Sequence, residues 1–162
     1  VTTGAQTETE REDDPMALRK RGKWRYGDGQ PDIRTEITRF SEEVQYPATH
    51  FADAACACGG RVFGLLLDET QGVASRVCVA CDAEAHPIGD SADFMDEAEE
   101  EECACPCGGE EFEITVGVSL YPDSEDVRWL YVGCRCPACG LTAVYGHWKN
   151  EFNGFRELLA RV

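Results

Sequence analysis

Eight of the ten cysteines in this 162-residue chain fall in four close pairs: Cys56-Ala57-Cys58, Cys78-Val79-Ala80-Cys81, Cys105-Pro106-Cys107 and Cys136-Pro137-Ala138-Cys139. A tight turn with two thiols one or two residues apart supplies two corners of a tetrahedron, and two such turns complete it. That is the coordination a structural zinc ion takes from soft sulfur ligands. Cysteines this dense could instead staple a disulfide scaffold, and compartment decides, because disulfides persist only in oxidising surroundings. Residues 1–30 carry acids at Glu8, Glu10, Glu12, Asp13 and Asp14 without an apolar run of signal-peptide length. No stretch approaches the roughly 18 consecutive apolar residues of a membrane span. The reading is a cytoplasmic protein with no membrane partner, whose paired cysteines bind metal.

A repeat organises the pairs. Ala55-Cys56-Ala57-Cys58-Gly59-Gly60 returns as Ala104-Cys105-Pro106-Cys107-Gly108-Gly109, and each copy ends in a CxxC pair that follows a β-prone stretch. Nineteen residues separate Cys58 from Cys78 and twenty-eight separate Cys107 from Cys136, so the second copy has the longer hairpin. Duplicated units most simply close their own sites. Cys56, Cys58, Cys78 and Cys81 are therefore assigned to one zinc and Cys105, Cys107, Cys136 and Cys139 to another. Sites shared between the copies are the competing arrangement. The glycines behind Cys58, Cys107 and Cys139 let a turn tighten and aim backbone N–H groups at sulfur, while Asp82 takes that place after Cys81. Cys103 and Cys134, each two residues ahead of a pair in the second copy, are left over. They read either as small buried hydrophobes or as a redox pair that joins or exchanges with ligands.

The cysteine pairs, glycines and hairpins over residues 55 to about 148 resemble the zinc-ribbon class, with turns like those of rubredoxins. This departs from the usual pattern in having CxC as the first turn of both copies. The resemblance implies a scaffold and names no activity. It leaves iron as the competing metal, since four thiolates accept either ion.

The strands that must carry these turns are clearest in the second copy. Phe112, Ile114, Val116, Val118 and Leu120 alternate with polar or small residues, Tyr121–Asp126 has turn chemistry, and Val127–Val132 and Leu141–Trp148 supply two further strands. In the first copy Arg61–Leu67 and Ala74–Val79 pair about a turn at Asp68–Gly72. Elsewhere the expectations are a disordered segment over 1–30, a short helix or strand over 31–46, ribbons over 47–92 and 103–162, and an acidic linker over 93–102. The linker is acidic at seven of its ten positions, Asp93 to Glu102, and its Phe94-Met95 could dock on a basic partner. Asn153 suits an N-cap for a C-terminal helix whose face carries Phe155, Leu158, Leu159 and Val162. The fold class is a small, metal-stabilised β-rich (α+β) protein of two tandem zinc ribbons.

Net charge is −16, and residues 53–102 alone hold 13 acids against 2 bases. Two zincs on eight thiolates take the formal total to about −20. So negative a body repels phosphate backbones and favours cationic protein partners. The opposing feature is the stretch Arg19, Lys20, Arg21, Lys23 and Arg25, with Trp24 and Tyr26 for stacking, which supplies a nucleic-acid contact. Catalytic zinc keeps an open position, which four thiolates deny it. His50, His86 and His147 are not followed by the HxE pattern of zinc deaminases, and Cys136–Cys139 lies among hairpins rather than in a βαβ unit. The expectation is a non-enzymatic interaction module. Trp129, Tyr131, Tyr145, Trp148 and Phe152 serve in this reading as interface or as core; nucleic-acid binding and thiol redox sensing are its alternatives.

Overall fold

The structure, a computed structural model, describes residues 18–162. The disorder expected of residues 1–17 lies outside the described residues. From Arg19 the chain is ordered into a hairpin, β1 (Arg19–Arg21) and β2 (Trp24–Tyr26), instead of continuing as the expected disordered segment. Gly22, at φ +63°, makes the two-residue turn that like-charged neighbours gave no hint of. Tyr26 bridges to Leu141 and Gly27 N–H donates to Gly140 O at 2.8 Å, which anchors the hairpin to the body.

Helical periodicity prevails in the next segment. Pro31 presets the first turn of α1 (Pro31–Glu43), and Asp32 Oδ2 accepts the backbone N–H groups of Asp28 at 2.6 Å and Gly29 at 3.2 Å just ahead of it. Along the chain follow β3 (His50–Asp53), β4 (Phe63–Asp68), β5 (Val73–Cys78), β6 (His86–Pro87), a 3-10 turn (Ser91–Glu97), β7 (Glu101–Glu102), β8 (Glu113–Leu120), β9 (Val127–Arg135), β10 (Thr142–Phe152) and a short C-terminal helix, α2 (Phe155–Leu159).

Strands β4 to β6 form the first cysteine unit and β8 to β10 the second, and each takes its fourth strand from elsewhere. The sheets run β6-β5-β4-β7 and β10-β9-β8-β3, all antiparallel. The strand leading into the CxC turn of either unit therefore pairs with the first strand of the other. The exchange obeys a local two-fold. Ala52 and Asp53 face Val116 and Thr115, while Glu101 and Glu102 face Leu67 and Leu66, every residue matched by one 49 positions away (52 with 101, 116 with 67). Ala54 N–H donates to Ile114 O and Cys103 N–H to Leu65 O, both at 2.9 Å. On the axis, Phe63 and Phe112 exchange two backbone hydrogen bonds at 2.8 Å each.

Because the leading strands cross over, the two units share one core. Phe63, Leu65 and Ala74 of the first unit pack in one cluster with Phe112, Ile114, Leu130 and Val132 of the second. The acidic run expected as a linker belongs to this arrangement. Glu101–Glu102 is the exchanged strand, and Glu99 N–H donates to Asp68 Oδ2 at 2.8 Å. With exposed glutamates at both of its positions the strand carries no alternating pattern. Backbone pairing holds it, and Asp68 and Ser75 hold the residues just ahead of it, Ser75 Oγ donating to Glu100 Oε1 at 3.2 Å.

Helix α1 covers the other face of the second sheet through Ile33 and Ile37, both fully buried. Glycine makes that approach feasible. A Cβ on Gly133 would lie 2.6 Å from Ile33 and one on Gly117 2.8 Å from Ile37. At the end of the chain Gly154, not Asn153, stands at the N-cap of α2. The turn between β8 and β9 serves the free amides there: Asp126 Oδ1 accepts from Gly154 N at 3.1 Å and Glu125 O from Phe155 N at 2.9 Å. Leu158 then packs against Gly89 of one unit and Leu130 of the other. Among the described residues no helix is long and apolar enough to cross a membrane.

Candidate metal centres

The two CxC turns are superposable in their hydrogen bonds. Gly59 N–H donates to Cys56 O and Gly108 N–H to Cys105 O, both at 2.8 Å, and Cys56 N–H and Cys105 N–H return bonds to Gly60 O and Gly109 O at 2.8 and 2.7 Å. The paired glycines do different work. Gly59 and Gly108 take φ of +94° and +96°, which L side chains rarely adopt. Gly60 and Gly109 leave room for sulfur, since a Cβ would stand 2.8 Å from Cys78 Sγ in the first case and 3.1 Å from Cys136 Sγ in the second. The CxxC turns differ. That of the second unit closes through Gly140, at φ +86°, whose N–H donates to Cys136 O at 2.7 Å. The first unit has Asp82 there and keeps its glycine-free geometry without a left-handed residue.

These turns bring together Cys56, Cys58, Cys78 and Cys81 in one group and Cys105, Cys107, Cys136 and Cys139 in the other, the sulfurs of each lying within 4.8 Å of one another. No site is shared between units. Closest sulfurs are 3.7 Å apart for Cys56–Cys81 and Cys58–Cys78, 3.6 Å for Cys105–Cys139 and 3.7 Å for Cys107–Cys136. A tetrahedron with metal–sulfur bonds of about 2.3 Å has edges of about 3.8 Å, whereas a disulfide needs about 2.05 Å. The spacing fits a four-thiolate metal centre compatible with zinc, and all ten cysteines are free thiols.

Backbone amides turned toward the sulfurs favour the thiolate form that a metal requires. The backbone at Cys58 and the neighbouring thiols lower Cys56 to about 7, and the backbone at Gly109 with neighbouring thiols lowers Cys107 to about 7. Burial and the neighbouring thiols push Cys105 up to about 12, and against the backbone at Ala83 thiol neighbours push Cys81 up to about 12, so that within each group one thiol ionises early at the expense of another. Gly60 N–H and Ala80 N–H approach Cys58 and Cys78 Sγ at 3.4 Å, and Leu141 N–H approaches Cys139 Sγ at 3.4 Å.

Cys103 and Cys134 join neither group. Both pack in the shared core, near enough that the Cys103 thiol acts on that of Cys134. Burial pushes Cys134 well above the ordinary thiol range and Cys103 up to about 11. The histidines make packing and hydrogen-bond contacts: His50 lies on Phe155 with ring centroids 4.0 Å apart, His86 Nε2 hydrogen-bonds Arg161 O at 2.8 Å, and His147 Nδ1 accepts from Trp129 Nε1 at 3.1 Å. Of the aromatic residues weighed as an interface, Tyr131 and Trp148 are buried, and Trp129, Tyr145 and Phe152 pack partly buried against the two cores.

Two side chains beside the sulfurs had no role in the sequence reading. Arg76 on β5 is 7% exposed, and its guanidinium lies close to Cys56 and Cys78. Tyr145 on β10 has its hydroxyl buried near Cys134 and Cys105. The signal for Arg76 was available, since it is one of only two cations between residues 53 and 102; the approach of Tyr145 depends on strand register.

Comparison of the chain with family models, with curated proteins and with solved structures gives no match. Its chemistry rests on the geometry above.

Proposed function

We propose that this is a non-enzymatic zinc protein, two interlocked zinc ribbons whose closed four-cysteine sites brace a surface that docks a basic protein segment. The carrying observation is a groove of about 310 Å³ floored by Gly64, Leu66, Val77, Val79 and Cys103 and rimmed by Glu102, Glu110 and Glu111. Val77 and Val79 are exposed apolar residues, and the three glutamates form no ion pair among the described residues. A second hollow of 270 Å³, lined by Gly108, Gly109, Pro137 and Ala138, continues it past Glu110 and Glu111. An apolar floor with an acidic rim complements an extended segment that alternates aliphatic and cationic side chains.

The test is fluorescence anisotropy of a labelled ten-residue peptide of alternating lysine and valine against the metal-loaded full chain. Saturable binding should weaken about tenfold or more in a Glu110→Lys/Glu111→Lys variant and stay within about twofold in Glu157→Lys, which lies outside the groove. Equal losses in both, or no binding at low ionic strength, would remove the reading. Elemental analysis should return two zinc ions per chain; a coloured protein would instead carry iron.

The hairpin supports nucleic-acid binding as a second reading. Arg19, Lys20, Arg21, Lys23 and Trp24 are exposed and Arg25 is partly so, and Lys23 lies 4.9 Å over the Trp24 ring beside an apolar hollow lined by Trp24, Leu141 and Tyr145. Binding of random single strands that falls steeply with salt would favour it. Redox sensing through Cys103 and Cys134 is disfavoured, because thiols pushed up by burial hold little reactive thiolate at neutral pH.

A further inference from the structure

Building on the metal reading, we infer that Arg76 and Tyr145 are supporting donors to the metal-bound sulfurs of Cys56 and Cys105, and that they make the two centres electrostatically unequal. Of the five buried side-chain atoms without a hydrogen-bond partner among the described residues, the two that lie beside the sulfurs point to this: Arg76 Nε and Tyr145 Oη. Buried donors of this kind are rarely left unpaired, because a missing bond leaves the cost of stripping water from the group uncompensated. Arg76 spends its Nη2 on the backbone oxygens of Ala55 at 3.3 Å and Val162 at 3.2 Å and lies over the Phe63 ring at 4.6 Å, which orients the guanidinium beside the first sulfur group. Tyr145 packs edge-on against Phe112 at 5.0 Å, the counterpart of Phe63. Each donor thus stands by the phenylalanine of the two-fold axis and near the first cysteine of its unit's CxC turn. A thiolate held there by a metal offers the acceptor that each lacks.

The donors come from different strands and carry different charge. Counting from the CxxC pair, the position of Arg76 is taken in the second unit by Cys134, a neutral buried thiol, and the hydroxyl arrives from β10 instead. Four thiolates and a divalent ion carry a net −2. A buried guanidinium sets positive charge beside the first centre, while the hydroxyl adds none beside the second, where the neighbouring Arg135 is already paired with Glu113 at 2.8 Å. Sulfur in the second centre is therefore the more nucleophilic and its metal the more readily released to electrophiles and chelators, although its unit has the longer strands.

The experiment uses zinc-loaded full-length protein, N-ethylmaleimide as electrophile and mass spectrometry of peptides to count alkylation of each cysteine, with native mass spectrometry counting retained metal. In the wild type, Cys105, Cys107, Cys136 and Cys139 are expected to be modified first. Arg76→Met should speed modification of the first group about 10- to 100-fold, the scale on which groups supporting metal ligands act, and leave the second group within about twofold. Arg76→Lys, which restores the charge, should recover most of the protection, a rescue that loss of packing alone would not give. Tyr145→Phe, which keeps the ring, should speed only the second group. Should Arg76→Met fail to fold, the wild-type order and Tyr145→Phe still decide. Two retained zincs with the first group modified first, or with rates indifferent to Tyr145→Phe and Arg76→Lys equal to Arg76→Met, would overturn the inference and leave the metal reading standing. A wild type that holds no metal would overturn both.

Discussion

Around Cys56 the first unit buries a cation, Arg76, and around Cys105 the second buries a hydroxyl, Tyr145, together with two further thiols. The first has short strands, β4 and β5 of six residues each, and the second runs to eleven in β10 beneath helix α1. What stays constant is the CxCGG turn, with the same two hydrogen bonds and the same left-handed glycine in each copy. Coordination demands sulfur positions good to a few tenths of an ångström, so the turn has little freedom to drift, whereas a strand can lengthen or a neighbour change as long as the shared core stays filled.

The largest effect should come from removing a ligand. Structural zinc supplies binding free energy of about 10–16 kcal/mol, comparable with or above the whole stability of an ordinary domain. Cys78→Ser in the first unit and Cys136→Ser in the second are both expected to disrupt the entire fold, because the exchanged strands and common core leave neither unit a boundary to stop at. Calorimetry should show one transition, displaced to much lower temperature, in each variant. A surviving second-unit transition in Cys78→Ser would break the picture of interlocked units and restore that of two in tandem.

Next in size are the axis residues. Phe63→Ala and Phe112→Ala each remove a fully buried ring from the same seam and should cost about 3–5 kcal/mol by urea denaturation. Near-equal costs would support the two-fold relation. A Phe112 cost much above that of Phe63 would mean that the helix-covered sheet dominates stability and that the first unit folds onto it.

The smallest effect sharpens the comparison at the metal. Gly60→Ala and Gly109→Ala should each weaken their own centre by about 1–3 kcal/mol, read by chelator competition. Gly60→Ala should be the worse, since its Cβ meets Cys78 Sγ at 2.8 Å against 3.1 Å for Cys136 Sγ at Gly109. The reverse order would show that the first unit yields more easily than its geometry implies.

Sequence spacing by itself was enough to sort eight cysteines into two groups and to find the hairpins of the two cysteine units and the short helix ending the chain. It left residues 31–46 open between helix and strand and gave no sign of the hairpin at Arg19–Tyr26. Each of the features it found is local: a turn sets its own thiols side by side, alternation marks a half-buried strand, and a period near 3.6 marks a helix face. Only the tertiary structure decided which strands pair across units, why seven acids in ten positions can end in a strand, and where Arg76 and Tyr145 point. Those outcomes join residues far apart in the chain. Glu101 and Glu102 pair with β4 through backbone groups that every residue possesses, so their side chains carry no sign of it. The grouping of the thiols is thus written in spacing, and what surrounds them is written in register.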